Sequence, residues 1–281
     1  MSASACPTRD PIELVLRSIL GRISLLARAA ARASRPEPSN ANARHARPFF
    51  AVASAGRKPA GLLSQSRDVG RSRLGDYLAH CAHLEAASVL AFERLACELN
   101  AHGAPLELVD EAINARGDEV RHALVMSQLA RSYSGEPMRA SVANLSLRPL
   151  ADIALENVVE GCVRETYGAL IAGYQAEHAH DAMLRAAMAE IAQDEARHAG
   201  LSHRVQRWIV PQLSRPQREA VRHAQQRAVF ELAAEVARPL DPELRLAAGL
   251  PSAAMGRLLL FELSRALFNP HGQKPEREAL G

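Results

Sequence analysis

Two hexapeptides, DEVRHA at residues 118–123 and DEARHA at residues 194–199, agree at five of six positions and stand 76 residues apart. In each, a Glu and a His are separated by three positions, and on an α-helix such residues share a face. Glu119 and His122 therefore point one way on their helix, as Glu195 and His198 do on theirs. A carboxylate and an imidazole side by side are donors for a transition-metal ion, so each hexapeptide reads as half of a metal site. A single E-x-x-H arises easily by chance in a chain of this composition. Two copies inside the same charged word do not.

The elements that must carry these words are long helices. Residues 74–102 are continuously helical in character, and the break at HGAP (residues 102–105) puts Pro105 where the first turn of a second helix begins. That helix is expected to reach about Tyr133. A connection without periodicity follows at residues 134–149. A third helix is expected from Leu150 to Ala176, a polar turn at EHAHD (residues 177–181), and a fourth helix to Ile209. Pro211 and Pro216 bracket the next break, and two more helices are expected near residues 215–237 and 251–268. The order of connections is short, long, short. Short loops make antiparallel neighbours, and a long one permits a crossover.

Each hairpin turn then predicts what faces each Glu. With the first turn centred near residue 102, level partners have numbers summing to about 204, which sets Glu119 opposite Glu85. With the second centred near 178, the sum is about 356, and Glu195 faces a position next to Glu160. Glu85 shares its stripe with Leu78, Cys81, Val89, Phe92 and Ala96; Glu160 shares its own with Ile153, Val163, Tyr167, Leu170 and Tyr174. Carboxylates on core rows are tolerated only when paired or metal-bound. Four Glu and two His at one level thus call for compensating charge, which two divalent metal ions supply. A metal-free network of Glu–Arg and Asp–His pairs is the alternative. Glu156, one turn before Glu160, stands ready to replace or join it, whereas Glu165 lies about 140° around an α-helix and reads as an outer or structural group. Tyr167 and Tyr174 read as core packing. His178 and His180 fall in the polar turn, and His80, His83 and His203 have no symmetric partner.

One Glu on the first and third helices, with E-x-x-H on the second and fourth, resembles the ferritin-like di-iron carboxylate proteins. The fuller D-E-x-R-H form looks like the di-iron monooxygenases and acyl-carrier-protein desaturases. The resemblance covers about residues 75–210. It implies an all-α fold, an antiparallel four-helix bundle with a long crossover between two hairpins, here with a basic N-terminal arm and extra C-terminal helices. It also implies Glu85, Glu119 and His122 on one metal ion, Glu160, Glu195 and His198 on the other, and Glu119 and Glu195 as bridges. Asp118 and Asp194 would each hydrogen-bond a ligand His from the other motif, with Arg121 and Arg197 in the same outer network. No catalytic residue beyond the metal site is implied.

A carboxylate-rich set with one imidazole per ion suits Fe(II) over zinc, with Mn or a mixed Mn/Fe pair as the alternative. The function implied is an O₂-activating oxidase or oxygenase acting on a small organic substrate, with an electron-donor protein as a further partner. The second reading is iron binding, storage or Fe(II) oxidation without an organic substrate. The chain lacks a C-x-x-C for a rubrerythrin-type second iron centre.

Composition frames these readings. Of 281 residues, 48% are hydrophobic and 4% aromatic, which favours helices over sheet. The net charge of +3 hides an asymmetry. Residues 1–73 hold 13 Lys/Arg against 4 Asp/Glu, and the remainder 21 against 27. Three stretches are expected: a basic N-terminal helix with a Pro/Ser/Arg-rich linker (1–73), the bundle (74–210), and a C-terminal helical extension with a polar tail after Asn269 (211–281). Residues 11–33 form an amphipathic helix that either meets a membrane surface or partner, or docks on the body. Nucleic-acid binding by the arm is disfavoured, because only Phe49 and Phe50 interleave its basic residues. Cys6, Cys81, Cys97 and Cys162 form no C-x-x-C pair and read as reduced thiols in a cytoplasmic protein. No apolar run reaches bilayer length.

Overall fold

The computed structural model describes residues 10–31, 57–63, 72–143 and 146–268. Cys6, Phe49, Phe50, most of the linker and the tail after Asn269 lie outside them. The described residues are helical, with one isolated antiparallel bridge between Leu62 and Val142. In order, the helices are α1 (Pro11–Ala31), α2 (Arg73–Ala101), α3 (Leu106–Ser132), α4 (Leu150–Glu156), a π-helical segment (Asn157–Glu165), α5 (Thr166–His178), α6 (Ala182–Ile209), α7 (Arg215–Val236), α8 (Pro242–Ala248) and α9 (Ala253–Leu263), which ends in a second π-turn (Ser264–Phe268).

Local signals set the boundaries. The Ser72 hydroxyl accepts from Gly75 N at the start of α2, and Asp181 Oδ1 accepts from Leu184 N at the start of α6. Ser214 and Gln217 form a reciprocal capping box at α7. Gly103, with φ of 70°, turns the chain between α2 and α3 in a conformation that other residues resist. α2 and α3 pair along their length, and α6 pairs with α5 and the π segment. The two hairpins meet where α3 packs on α6.

The apolar core is divided in two. One cluster contains Leu78 and Cys81 of α2, Met126 and Leu129 of α3, Tyr167 and Leu170 of α5, and Leu184 and Ile191 of α6. The other contains Phe92 and Leu99 of α2, Leu108 and Ala112 of α3, Ile153 of α4, Cys162 of the π segment, and Leu201 and Val205 of α6. On α2 and α3 the change from one cluster to the other brackets Glu85 and Glu119, and on α6 it brackets His198, one turn from Glu195. Apolar layers above and below thus enclose a polar level, which raises the cost of any charge left unpaired there.

α1 docks on the body. Leu16, Ile19 and Ile23 are buried in the first core cluster, against α5, α6 and α9. Leu259, Leu260 and Leu263 of α9 join the same cluster, so residues from all three stretches expected at 1–73, 74–210 and 211–281 share one core. Among the described residues, no single helix is long and apolar enough to cross a membrane. A buried ion network ties the connection after α3 to the helices. Arg148 holds Glu98 of α2 at 2.7 Å and Glu156 of α4 at 2.8 Å.

Candidate metal centre

Six side chains from α2, α3, α6 and the π segment converge at the polar level. They are Glu85, Glu119, His122, Glu165, Glu195 and His198, none more than 3% exposed. Donor atoms of Glu85, Glu119, His122 and Glu195 lie within 4.8 Å of one another, as do those of Glu119, Glu165, Glu195 and His198. Both sets could hold a metal ion, and they share Glu119 and Glu195.

The inner atoms face one another without bonding. His122 Nδ1 is 3.6 Å from Glu119, 3.7 Å from Glu195 and 4.0 Å from Glu85; His198 Nδ1 is 3.3 Å from Glu119 and 4.0 Å from Glu195. Glu85 Oε2, both oxygens of Glu119 and of Glu195, and both Nδ1 atoms are buried with no hydrogen-bond partner. Native interiors leave few such groups unsatisfied, and seldom several together. Seven around one space fit divalent ions, and carboxylate oxygens with imidazole nitrogens are suitable donors.

Outside this ring the pairing is complete and crossed. His122 Nε2 donates to Asp194 at 3.0 Å, and His198 Nε2 donates to Asp118 at 3.1 Å. Arg121 donates to Asp118 at 2.6 Å and Asp194 at 3.1 Å; Arg197 donates to Asp194 at 2.6 Å and Asp118 at 3.2 Å. Each D-E-x-R-H motif therefore orients the other's imidazole. With its proton fixed on Nε2, each ring presents Nδ1 inward.

Electrostatics agree with a site built for cations. Burial, with Glu119 and Glu195 alongside, raises the Glu85 carboxyl well above its usual range. Burial and Glu119 push Glu195 up to about 8. Burial would raise Glu119 too, but the imidazoles of His122 and His198 outweigh it and hold the group at about 2. Burial lowers the His122 imidazole, yet Asp194 and Glu119 more than compensate and bring it to about 9; Asp118 and Glu119 likewise raise His198. Without metal, protons occupy this cluster.

Five of the six residues expected from sequence lie in it, and Glu160 does not. Glu160 accepts from the Lys58 backbone N–H at 3.1 Å and lies 3.8 Å from Arg164. Glu165 takes its place. The turn between α5 and α6 is centred near residue 180, two residues later than the position near 178 expected from sequence, so level partners sum to about 360 and pair Glu195 with Glu165. The π segment contributes as well, because its wider turns change the angular relation of Glu160 and Glu165 from that of an α-helix. Asp181 as N-cap of α6 was the available signal. Glu156 is engaged by Arg148 and by the Ala60 N–H at 2.8 Å, away from the cluster. Tyr167 donates to Gly256 O, and Tyr174 stacks on His178 with ring centroids 3.9 Å apart; both serve packing. Cys81 and Cys162 are buried and Cys97 is exposed, and none of the three is in a disulfide.

Arg57, inside the stretch expected to be linker, is the residue that sequence did not signal. Its side chain enters the helices at only 4% exposure, donates to Glu165 and lies with its guanidinium carbon 4.6 Å from the Phe92 ring centroid. The chain matches no family model, no curated protein and no solved structure.

Proposed function

We propose that this protein is a ferritin-like di-iron protein, in which α2, α3, the α4–π–α5 unit and α6 form an antiparallel four-helix bundle and residues 133–149 are the crossover. The observation that carries this reading is the set of seven buried, unpartnered donor atoms around a common space. Glu119 and Glu195, common to both sets, are the bridging candidates. Glu85 and His122 complete one position; Glu165 and His198 complete the other.

When bound, a pair of iron ions supplies O₂ binding and exchange of electrons in pairs. The chain's own residues hold the geometry. Asp118 and Asp194 fix the imidazole tautomers, the Arg121–Arg197 pair keeps those carboxylates charged, and the two apolar layers exclude water. Mn, alone or mixed with Fe, fits the same donors. Cys81, Cys97 and Cys162, none of them in a disulfide, suit a reducing, cytoplasmic setting.

An oxidase or oxygenase acting on a small organic substrate is the leading activity. One observation favours the second reading, Fe(II) oxidation without such a substrate. Beside His198 stands Phe92, with ring centroids 5.1 Å apart in an edge-on arrangement and Arg57 over the Phe92 face. The test begins with metal analysis, then an optical spectrum of the anaerobically reduced, iron-loaded protein before and after O₂. About two irons per chain and a new absorption band after O₂ are expected. The double variant Glu119→Ala/Glu195→Ala should take up no metal, and unchanged iron content in it would refute the site.

A further inference from the structure

Arg57 reaches the metal cluster from outside the helices. Its Nε donates to both oxygens of Glu165 at 3.3 and 3.1 Å, and its Nη2 donates to Asn157 Oδ1 at 3.3 Å and to the Ser202 hydroxyl. Ser202 in turn donates to Glu165 at 2.8 Å. Gly161 makes the space, since a Cβ there would lie 2.5 Å from Arg57 Nη2 and 2.6 Å from Ser202 Oγ. The segment is pinned on both sides of the side chain: Arg57 N donates to Ser88 Oγ, Lys58 N to Glu160 and Ala60 N to Glu156. This is a formed seat for a guanidinium.

The other half of the cluster has no such cation. Among the described residues, no Lys or Arg makes an ion pair with Glu85, Glu119 or Glu195. We infer that Arg57 makes the two metal positions unequal: the position framed by Glu85 and His122 fills first, and the one framed by Glu165 and His198 fills only as the guanidinium releases Glu165. The inference rests on the binuclear reading above.

Charge explains the order. With neutral imidazoles, the four carboxylates and Arg57 carry a formal charge of −3. A first divalent ion leaves −1. A second leaves a buried net positive charge beside a guanidinium that cannot shed its proton. In a dry, low-dielectric interior that repulsion is large. Without Arg57, two divalent ions would neutralise four carboxylates completely, and the asymmetry would vanish. Arg57 is thus a positioning residue acting through Glu165.

The test is anaerobic calorimetric titration of the metal-free full chain with Mn(II), with electron paramagnetic resonance of the Mn(II) at one and two equivalents. The wild-type protein should bind two ions in separate steps whose Kd values differ by about ten-fold or more, with an isolated-ion spectrum at one equivalent. Arg57→Gln should tighten the second step and bring the two Kd values together. Arg57→Lys, which keeps the charge, should keep them apart. A paired-ion spectrum at one equivalent in the wild type, or an unchanged separation in a folded Arg57→Gln protein, would overturn the inference and leave the binuclear reading standing. A wild-type chain that binds no divalent ion overturns both. Should Arg57→Gln fail to fold, the wild-type spectrum at one equivalent decides.

Discussion

His198 Nε2 lies 3.1 Å from Asp118 Oδ2, although the two residues belong to different copies of the same motif. The reciprocal contact, His122 with Asp194 at 3.0 Å, makes α3 and α6 mutually dependent. Replacing Asp118 with Asn removes the charge that holds the His198 ring and should weaken metal binding by about 10–100-fold. Asp194→Asn should do the same through His122. Calorimetric Kd values check this, and unchanged affinity in both variants would mean that the crossed pairs only hold the helices together.

Glu165 and Glu160 can be told apart directly. Glu165→Gln should lose one of two bound ions, whereas Glu160→Gln should retain both, since Glu160 bonds the Lys58 N–H instead. Metal content by elemental analysis is the measurement. The opposite pattern would restore the ligand set read from the turn position in the sequence.

Metal uptake should strengthen as pH rises. His122 at about 9 and Glu195 at about 8 hold protons at neutral pH in the metal-free protein, and a ligand must lose its proton to bind. Each released proton weakens apparent affinity about ten-fold per unit fall in pH below these values. Stability shows the same linkage. Both groups titrate higher when folded than when unfolded, from ordinary values of 6.5 and 4.5, so the folded metal-free protein binds more protons than the unfolded chain. Its stability is therefore greatest in acid relative to these groups and falls as pH rises from 4.5 to about 8 for Glu195 and from 6.5 to about 9 for His122, where the loss is complete. The Tm of metal-free protein should drop across that window, and the metal-loaded Tm should not. Equal slopes would count against the protonated cluster.

Two glycines should respond oppositely to the same change. A Cβ at Gly75 would strike Tyr133 O and come within 2.7 Å of Gly135 N, so Gly75→Ala should cost about 1–3 kcal/mol. At Gly117, inside α3, nothing lies within 4 Å, and Gly117→Ala should add about 0.5–1 kcal/mol through helix propensity. Thermal unfolding of the pair checks the close approach at the base of the first hairpin.

Periodicity and punctuation in the sequence were sufficient to determine the long helices, though not the short α8 (Pro242–Ala248). Pro105 and the run to Ile209 mark ends that the structure reproduces within a residue or two, and the i, i+3 spacing alone puts Glu119 with His122 and Glu195 with His198. Those relations are local, so they survive any error about the rest of the chain. The crossed Asp–His pairs came from family resemblance and not from spacing. Glu165 and Arg57 were decided by tertiary structure. A two-residue shift in the turn before α6, together with the π segment, changes which carboxylate stands level with Glu195. Arg57 lies in a stretch with no periodicity, and only the cavity beside Gly161, the Phe92 face and the Glu165 carboxylate give its guanidinium a place. The contact with Glu165 spans 108 residues, and no short-range rule encodes it.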